Sequence, residues 1–194
     1  LTTGPKTKEF EKKFSQYLSP SSAGTANSST AKIINSIAVN SCTAALHLSL
    51  SAAGVGRGAE VLTSDMTFVS AANVSVHLGA KPVFVDVEKD TGNLDASKLE
   101  AAISRKTKAI MPVHFAGHAA DMDSINKVAA KHGLAVIEDA AHASGSEYKG
   151  NKIGTLDTFS TCFSFYATKN LATGEGGMIC SRDVEKSALM RRLS

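Results

Sequence analysis

Lys169 closes an apolar, aromatic run, Ser164-Phe165-Tyr166-Ala167-Thr168-Lys169, and a glycine-rich turn, Gly174-Glu175-Gly176-Gly177, follows it. That setting suits a partly desolvated amine, the kind that attacks carbonyl groups and forms Schiff bases. Taken alone, Lys169 also reads as an ordinary solvated lysine. A second segment, Val136-Ile137-Glu138-Asp139-Ala140-Ala141-His142, ends an apolar run with two adjacent carboxylates. Buried carboxylates are costly unless partnered. One can point to each face of a sheet, and Asp139 falls where a ligand cation would meet it, or else it caps the following turn. A third segment, Asn40-Ser41-Cys42-Thr43-Ala44, opens a helical pattern. Small residues there leave backbone N–H groups free for an anion such as a phosphate, although a plain Ser/Thr N-cap accounts for them too. In the fourth, Ser64-Asp65-Met66-Thr67-Phe68, Phe68 can stack on a planar ligand or pack as core. Together, a phosphate cradle, a ring-stacking aromatic, an acid for a ring nitrogen and a Schiff-base lysine are the parts that hold pyridoxal phosphate (PLP).

Such parts need a scaffold, and the hydrophobic pattern supplies one. Short apolar runs at Ile37–Val39, Glu60–Thr63, Pro82–Val87, Ala109–Val113, Leu134–Glu138, Thr158–Phe163 and Met178–Cys180 read as strands. Helical spacing appears between them at Thr43–Ala53, Phe68–His77, Ala96–Ile103 and Met122–His132, and again at Val184–Leu193. Strands alternating with helices predict an α/β fold, a mostly parallel central sheet covered on both faces as a three-layer α/β/α sandwich. Ligands in such folds gather at the carboxyl ends of strands, where all four segments fall. Lys6–Leu18 reads as an amphipathic helix with Phe10, Phe14 and Tyr17 or Leu18 at helical spacing and Lys and Glu on the other face. Pro20–Thr30, rich in Ser, Ala and Gly, reads as a loop or insert. The predicted organisation is an N-terminal helix and insert over 1–35 and a cofactor-binding domain over 36–194.

Composition narrows the classes. Among 194 residues, 21 Lys+Arg against 18 Asp+Glu leave a formal charge of +3, too even for a nucleic-acid binder. No apolar stretch approaches the ~20 residues of a membrane span, and Leu1–Phe10 is too polar for a signal peptide. Three cysteines, Cys42, Cys162 and Cys180, show no CxxC pairing and argue against a disulfide scaffold or zinc ribbon. The expectation is a soluble, cytoplasmic protein.

Three other motifs fail on context. Gly54-Val55-Gly56-Arg57-Gly58-Ala59 has dinucleotide-binding spacing but follows a helix and precedes a strand, the reverse of what that site requires. Gly145–Gly150 has the glycine spacing of a phosphate loop and lacks the Lys-Ser/Thr that completes one. His114 and His118 have no further metal ligand nearby in sequence, and a turn after a strand explains them.

Val39–Leu50 (VNSCTAALHLSL), Thr67–Asn73 (TFVSAAN), Gly79–Asp86 (GAKPVFVD), Ile137–Ser144 (IEDAAHAS) and Phe163–Gly177 (FSFYATKNLATGEGG) resemble, in order, the DegT/DnrJ/EryC1/StrS family of PLP-dependent sugar aminotransferases. Gly4–Phe14 resembles that family's early segment as well. The resemblance implies the PLP-dependent transferase fold type I. It implies that Lys169 bonds the cofactor and shuttles protons, that Asp139 pairs with the pyridine nitrogen, and that Phe68 stacks on the ring. His142 falls near the ring hydroxyl, and Ser164 with the Cys42–Thr43 amides would hold the phosphate. An amino-acid donor, typically L-glutamate, a nucleotide-linked keto-sugar acceptor and a homodimer follow from the same resemblance. Two departures stand out: the family usually has Gly at the position of Cys42, and the insert near Pro20–Asn35 is long. Family members are also longer, so the chain reads as the large-domain part, truncated before a small C-terminal domain. Some relatives with His in place of the lysine are dehydratases, and Lys169 favours transamination over that chemistry. A truncated, non-catalytic binding domain is the alternative from another class.

Overall fold

The structure, a computed structural model, describes residues 4–19 and 34–194. The expected loop over Pro20–Thr30 lies outside the described residues. Helix α1 (Pro5–Leu18) begins with Pro at its first turn, where a missing N–H costs nothing. It leads to β1 (Asn35–Val39), α2 (Cys42–Ala52), β2 (Glu60–Thr63), α3 (Ser70–His77) and β3 (Lys81–Phe84). A 3-10 turn and one helical turn, α4 (Leu99–Ala102), precede β4 (Thr107–Met111), α5 (Met122–His132) and β5 (Ala135–Asp139). The chain continues through β6 (Glu147–Tyr148), β7 (Asn151–Lys152), β8 (Ser160–Ser164), β9 (Gly177–Ser181) and α6 (Val184–Leu193). Side-chain caps start several helices. Ser41, Asp121 and Asp183 accept from backbone N–H groups in the first turns of α2, α5 and α6, and α5 stops at Gly133 with φ 64°.

Seven strands form one sheet in the order β1-β9-β8-β5-β4-β2-β3. All neighbours are parallel except β9, which runs antiparallel to both β1 and β8. The 12 residues between β8 and β9 hold no helix, and a parallel crossover needs one. Alternate residues on the strands feed different cores. Ile37, Val61, Ala109, Met111, Ile137, Cys162 and Ile179 pack with α2, α3 and α6. Leu62, Ile110 and Val136 pack with α4 and α5 on the other face, where Phe163, Met178 and Cys180 meet Phe14 and Leu18 of α1. The three-layer arrangement expected from the alternation is present.

Local differences have local causes. The strand expected over Pro82–Val87 ends at Phe84, because the chain leaves the sheet edge and Val87 bridges Leu94 instead. Pro82 is tolerated since β3 is an edge strand. The helix expected over Ala96–Ile103 splits at Lys98 into a 3-10 and an α turn. Residues 145–152, rejected as a phosphate loop, fold as the β6–β7 hairpin. Its turn residues Lys149 and Gly150 both have positive φ (49° and 77°), which lets a two-residue turn follow the strand twist. The Gly54–Gly58 segment is the turn between α2 and β2, as its context required.

Candidate active site

The strand period brings the site together. Asp139 lies two residues beyond Ile137, Ser164 two beyond Cys162, and Gly177 two before Ile179, so all three face the layer that carries α2. The register pairs Asp139 with Cys162, Ser164 with Gly177 and Gly177 with Val39. Since β9 runs backwards, its first residue sits at the carboxyl edge of the parallel strands. There the N-terminus of α2 comes close: a Cβ on Gly177 would lie 2.4 Å from the Ser41 carbonyl carbon and 2.7 Å from the Cys42 nitrogen. Only glycine permits that approach.

A cavity of about 800 Å³ opens at this edge. Its walls include Cys42, Thr43, Phe68, Asp139, His142, Ser164 and Lys169, every site residue expected from sequence. Phe68 is 75% exposed rather than core, with its ring at the cavity. Asp139 is buried, and both hydrogen bonds to its carboxylate among the described residues go to Oδ1, from the Ala141 N–H (3.1 Å) and the Cys42 thiol (3.8 Å). Burial pushes its carboxyl above the usual range, opposed by the Ala141 N–H, His114, His142 and Lys169. Burial, then the positive charge of Lys169, holds the His142 imidazole below its ordinary value, with Asp139 acting the other way. Lys169 is half-buried; its backbone N–H donates to the Tyr166 carbonyl (2.9 Å), and its amine has no hydrogen bond among the described residues.

These groups fit PLP. At the start of α2, the Ser41 hydroxyl takes the Ala44 N–H, and no described residue accepts from the Cys42 or Thr43 N–H. Free N–H groups at a helix N-terminus favour a phosphate. Ser164 adds a hydroxyl, and Thr67 Oγ1, also on the wall, is buried with no partner among the described residues. The buried carboxylate lacks a full cation partner of the kind a pyridinium provides. The side chain of Cys42 does not crowd the cradle: its sulfur turns to Asp139 and to the Cys162 carbonyl (3.5 Å).

His114, read from sequence as a residue of the turn after a strand, has a side chain that is fully buried and lines the cavity. Its Nε2 lies 2.9 Å from Glu138 Oε2. Strand alternation signals that Glu138 opposes Asp139, but the His114 partnership joins the turn beyond β4 to β5 and has no local signature. Asp65, Met66, Phe115, Tyr166 and Glu175 also line the wall.

A family model described as the DegT/DnrJ/EryC1/StrS aminotransferase family matches residues 1–194. The chain belongs to this family. Among its curated members, the spore coat polysaccharide biosynthesis protein SpsC of Bacillus subtilis is 50% identical over 194 residues, 100% of this chain and 46% of that protein. The GDP-perosamine synthase of Caulobacter vibrioides is 47% identical over 185 residues, 95% of this chain and 46% of that enzyme. In crystal structures, DesV of S. venezuelae in complex with a ketimine intermediate superposes with a TM-score of 0.88 at 36% identity, over 98% of this chain and 48% of DesV. NtdA of Bacillus subtilis with bound cofactor PMP does so with 0.83 at 31% identity, over 97% and 40%. The fold is that of these aminotransferases. This chain spans less than half the length of each of them.

Proposed function

We propose that the chain carries the cofactor site of a PLP-dependent aminotransferase that takes an amino group from an amino acid, L-glutamate, and delivers it to a keto sugar attached to a nucleotide. Likeness to a GDP-perosamine synthase and to a polysaccharide biosynthesis protein supports the sugar acceptor and a place in polysaccharide synthesis. The observation that carries the reading is one cavity walled by Lys169, Asp139, Phe68, Cys42 and Thr43, the last two with N–H groups that meet no acceptor among the described residues.

When bound, PLP supplies an electron sink for the carbon that loses or gains a proton. The chain supplies the rest. Lys169 Nζ anchors the cofactor, then takes the proton from the amino-bearing carbon and returns it, a general acid–base role. Asp139 holds a proton at the ring nitrogen, and the contact in turn stabilises its own buried charge. Phe68 covers a ring face. The Cys42 and Thr43 amides and the Ser164 hydroxyl hold the phosphate, and Ser41 caps the helix behind them. His142, its imidazole held below its ordinary value chiefly by burial, meets the ring hydroxyl.

A homodimer belongs to the same reading. Met66, Phe68 and Tyr166 line the cavity yet remain 42%, 75% and 47% exposed, apolar surface of the sort a second copy covers. Cytoplasmic location is supported by three buried, unpaired cysteines.

The test is incubation with PLP, borohydride reduction and peptide mapping by mass spectrometry. A single phosphopyridoxyl adduct on Lys169 is expected. Adducts scattered over surface lysines, or none, would overturn the assignment.

A further inference from the structure

The Glu138–Asp139 pair ends β5 with its carboxylates on opposite faces, and only Asp139 has a part in the chemistry above. Glu138 is completely buried. Its Oε1 accepts from the hydroxyls of Thr158 and Thr161, both at 2.7 Å, and its Oε2 meets His114 Nε2 at 2.9 Å. The other ring nitrogen of His114, Nδ1, accepts the backbone N–H of Ala120 at 3.1 Å. A nitrogen that accepts carries no proton. The ring proton therefore sits on Nε2 and is donated to Glu138. Three donors converge on one buried carboxylate, and none is left for another acceptor.

His114 holds the neighbouring residue as well. Its backbone N–H donates to the Asp139 carbonyl at 3.0 Å, and the Asp139 N–H donates to the Pro112 carbonyl at 2.9 Å. These bonds extend the β4–β5 ladder past the end of β4, to a bridge between Val113 and Asp139. One residue thus grips Asp139 by its backbone and Glu138 by its side chain. The turn beyond His114 is fixed from two further sides. The Phe115 N–H donates to Asn93 Oδ1 (2.9 Å), and Ser146 Oγ donates to the Gly117 carbonyl (2.7 Å). Within it Ala116 keeps a φ of 51°.

We infer that the buried His114–Glu138 pair is a positioning device for Asp139, locking the last peptide of β5 so that the Asp139 carboxylate meets a pyridine-type ring nitrogen in the cavity. This rests on the reading of the cavity as a PLP site. Neither residue bonds the ligand. Their effect reaches it only through the Asp139 contact, and that gives the device a signature. Losing it weakens ligands that offer a ring nitrogen and spares ligands that do not.

The experiment compares binding of PLP with binding of its carbocyclic analogue, in which C–H replaces the ring nitrogen. Equilibrium dialysis is run on the full chain and on Glu138→Gln, His114→Gln and Thr158→Val. A charge-assisted hydrogen bond gives the wild type about a 10–100-fold preference for PLP. In Glu138→Gln and His114→Gln that preference falls to within about threefold of unity, while affinity for the analogue changes little. Thr158→Val removes one of the three donors at a half-buried position and lowers the preference part-way, so the inference stays testable should the other two fail to fold. Equal weakening of both ligands, or an unchanged preference in folded variants, means a merely structural role and overturns the inference. A wild type that binds neither ligand overturns the cofactor reading itself.

Discussion

Replacing Gly177 by Ala tests the phosphate seat from behind, by pressing on the peptide that carries the Cys42 N–H. The added Cβ would lie 2.4 Å from the carbonyl carbon of Ser41, 2.5 Å from its oxygen and 2.7 Å from the Cys42 nitrogen. All three are backbone atoms, so no side chain can rotate away. Carbon atoms rest about 3.5 Å or more apart, and the Ser41–Cys42 peptide must therefore retreat by about 1 Å. Overpacking of this kind costs about 1–3 kcal/mol. At this chain length that lowers the melting temperature by roughly 2–12 °C. The retreating peptide carries the Cys42 N–H, one of the two assigned to the phosphate, and loss of that charge-assisted bond weakens PLP by about 10–100-fold. Gly56→Ala is the control: a Cβ there meets nothing within 4 Å, and its melting temperature and PLP affinity should match the wild type. Equilibrium dialysis and thermal melts of both variants decide the matter. A Gly177→Ala chain that melts lower but binds PLP with wild-type affinity would refute the placement of the phosphate at the start of α2.

Other consequences are equally direct. Lys169→Ala should abolish the borohydride-trapped adduct, and full transamination by such a chain extended to the length of its relatives would sink the mechanism. Asp139→Asn should raise the melting temperature of the cofactor-free chain near pH 8 while weakening PLP. The wild-type carboxyl is raised by burial, so its cost is absent below 3.8, grows as pH rises from there and is complete above the raised folded value; the advantage of Asn should fade as pH falls toward 3.8. Glu11→Ala should destabilise by about 1–3 kcal/mol in urea titrations. That buried carboxylate binds Arg191 at 2.6 and 3.1 Å and accepts the Ala38 N–H at 2.8 Å, joining α1, β1 and α6. Burial pushes the Cys180 thiol up to about 12 and Cys162 and Cys42 well above their ordinary value. A thiol reagent at pH 8 should count no cysteine in the folded chain and three in denaturant.

The parts of the site that could be read from sequence are those that a strand end and the following turn specify locally. Asp139, Ser164 and Lys169 each sit just past an apolar run, and the period of two then decides the face they share. Phe68 was ambiguous because a lone aromatic reads equally as core; only the assembled cavity shows its ring exposed. The His114–Glu138 bond was illegible for a different reason. It joins residues 24 apart, one in the turn beyond β4 and one in β5, and nothing in either segment announces the other. The direction of β9 was hidden in an absence, the lack of a helix between Phe163 and Met178. The β6–β7 hairpin was missed because each strand has only two residues, too few for any alternation.

The reversed strand β9 also sets an order of assembly. In the sheet β1 has one neighbour, β9, and the Asn35 side chain that bonds Ser181 across the pair reaches over 146 residues of chain. During synthesis β1 leaves the ribosome before β9 and has no strand to join until nearly all of residues 34–181 have followed. The other strands can pair progressively as they emerge, but the segment that leads into α2 must wait for Gly177 to arrive beneath it. Packing of α2 on β5 and β8 closes most of that loop beforehand, and the pairing of β1 with β9 completes it. The turn proposed to hold the phosphate is then among the last parts of the described chain to form, after the loop that carries Lys169 has been made.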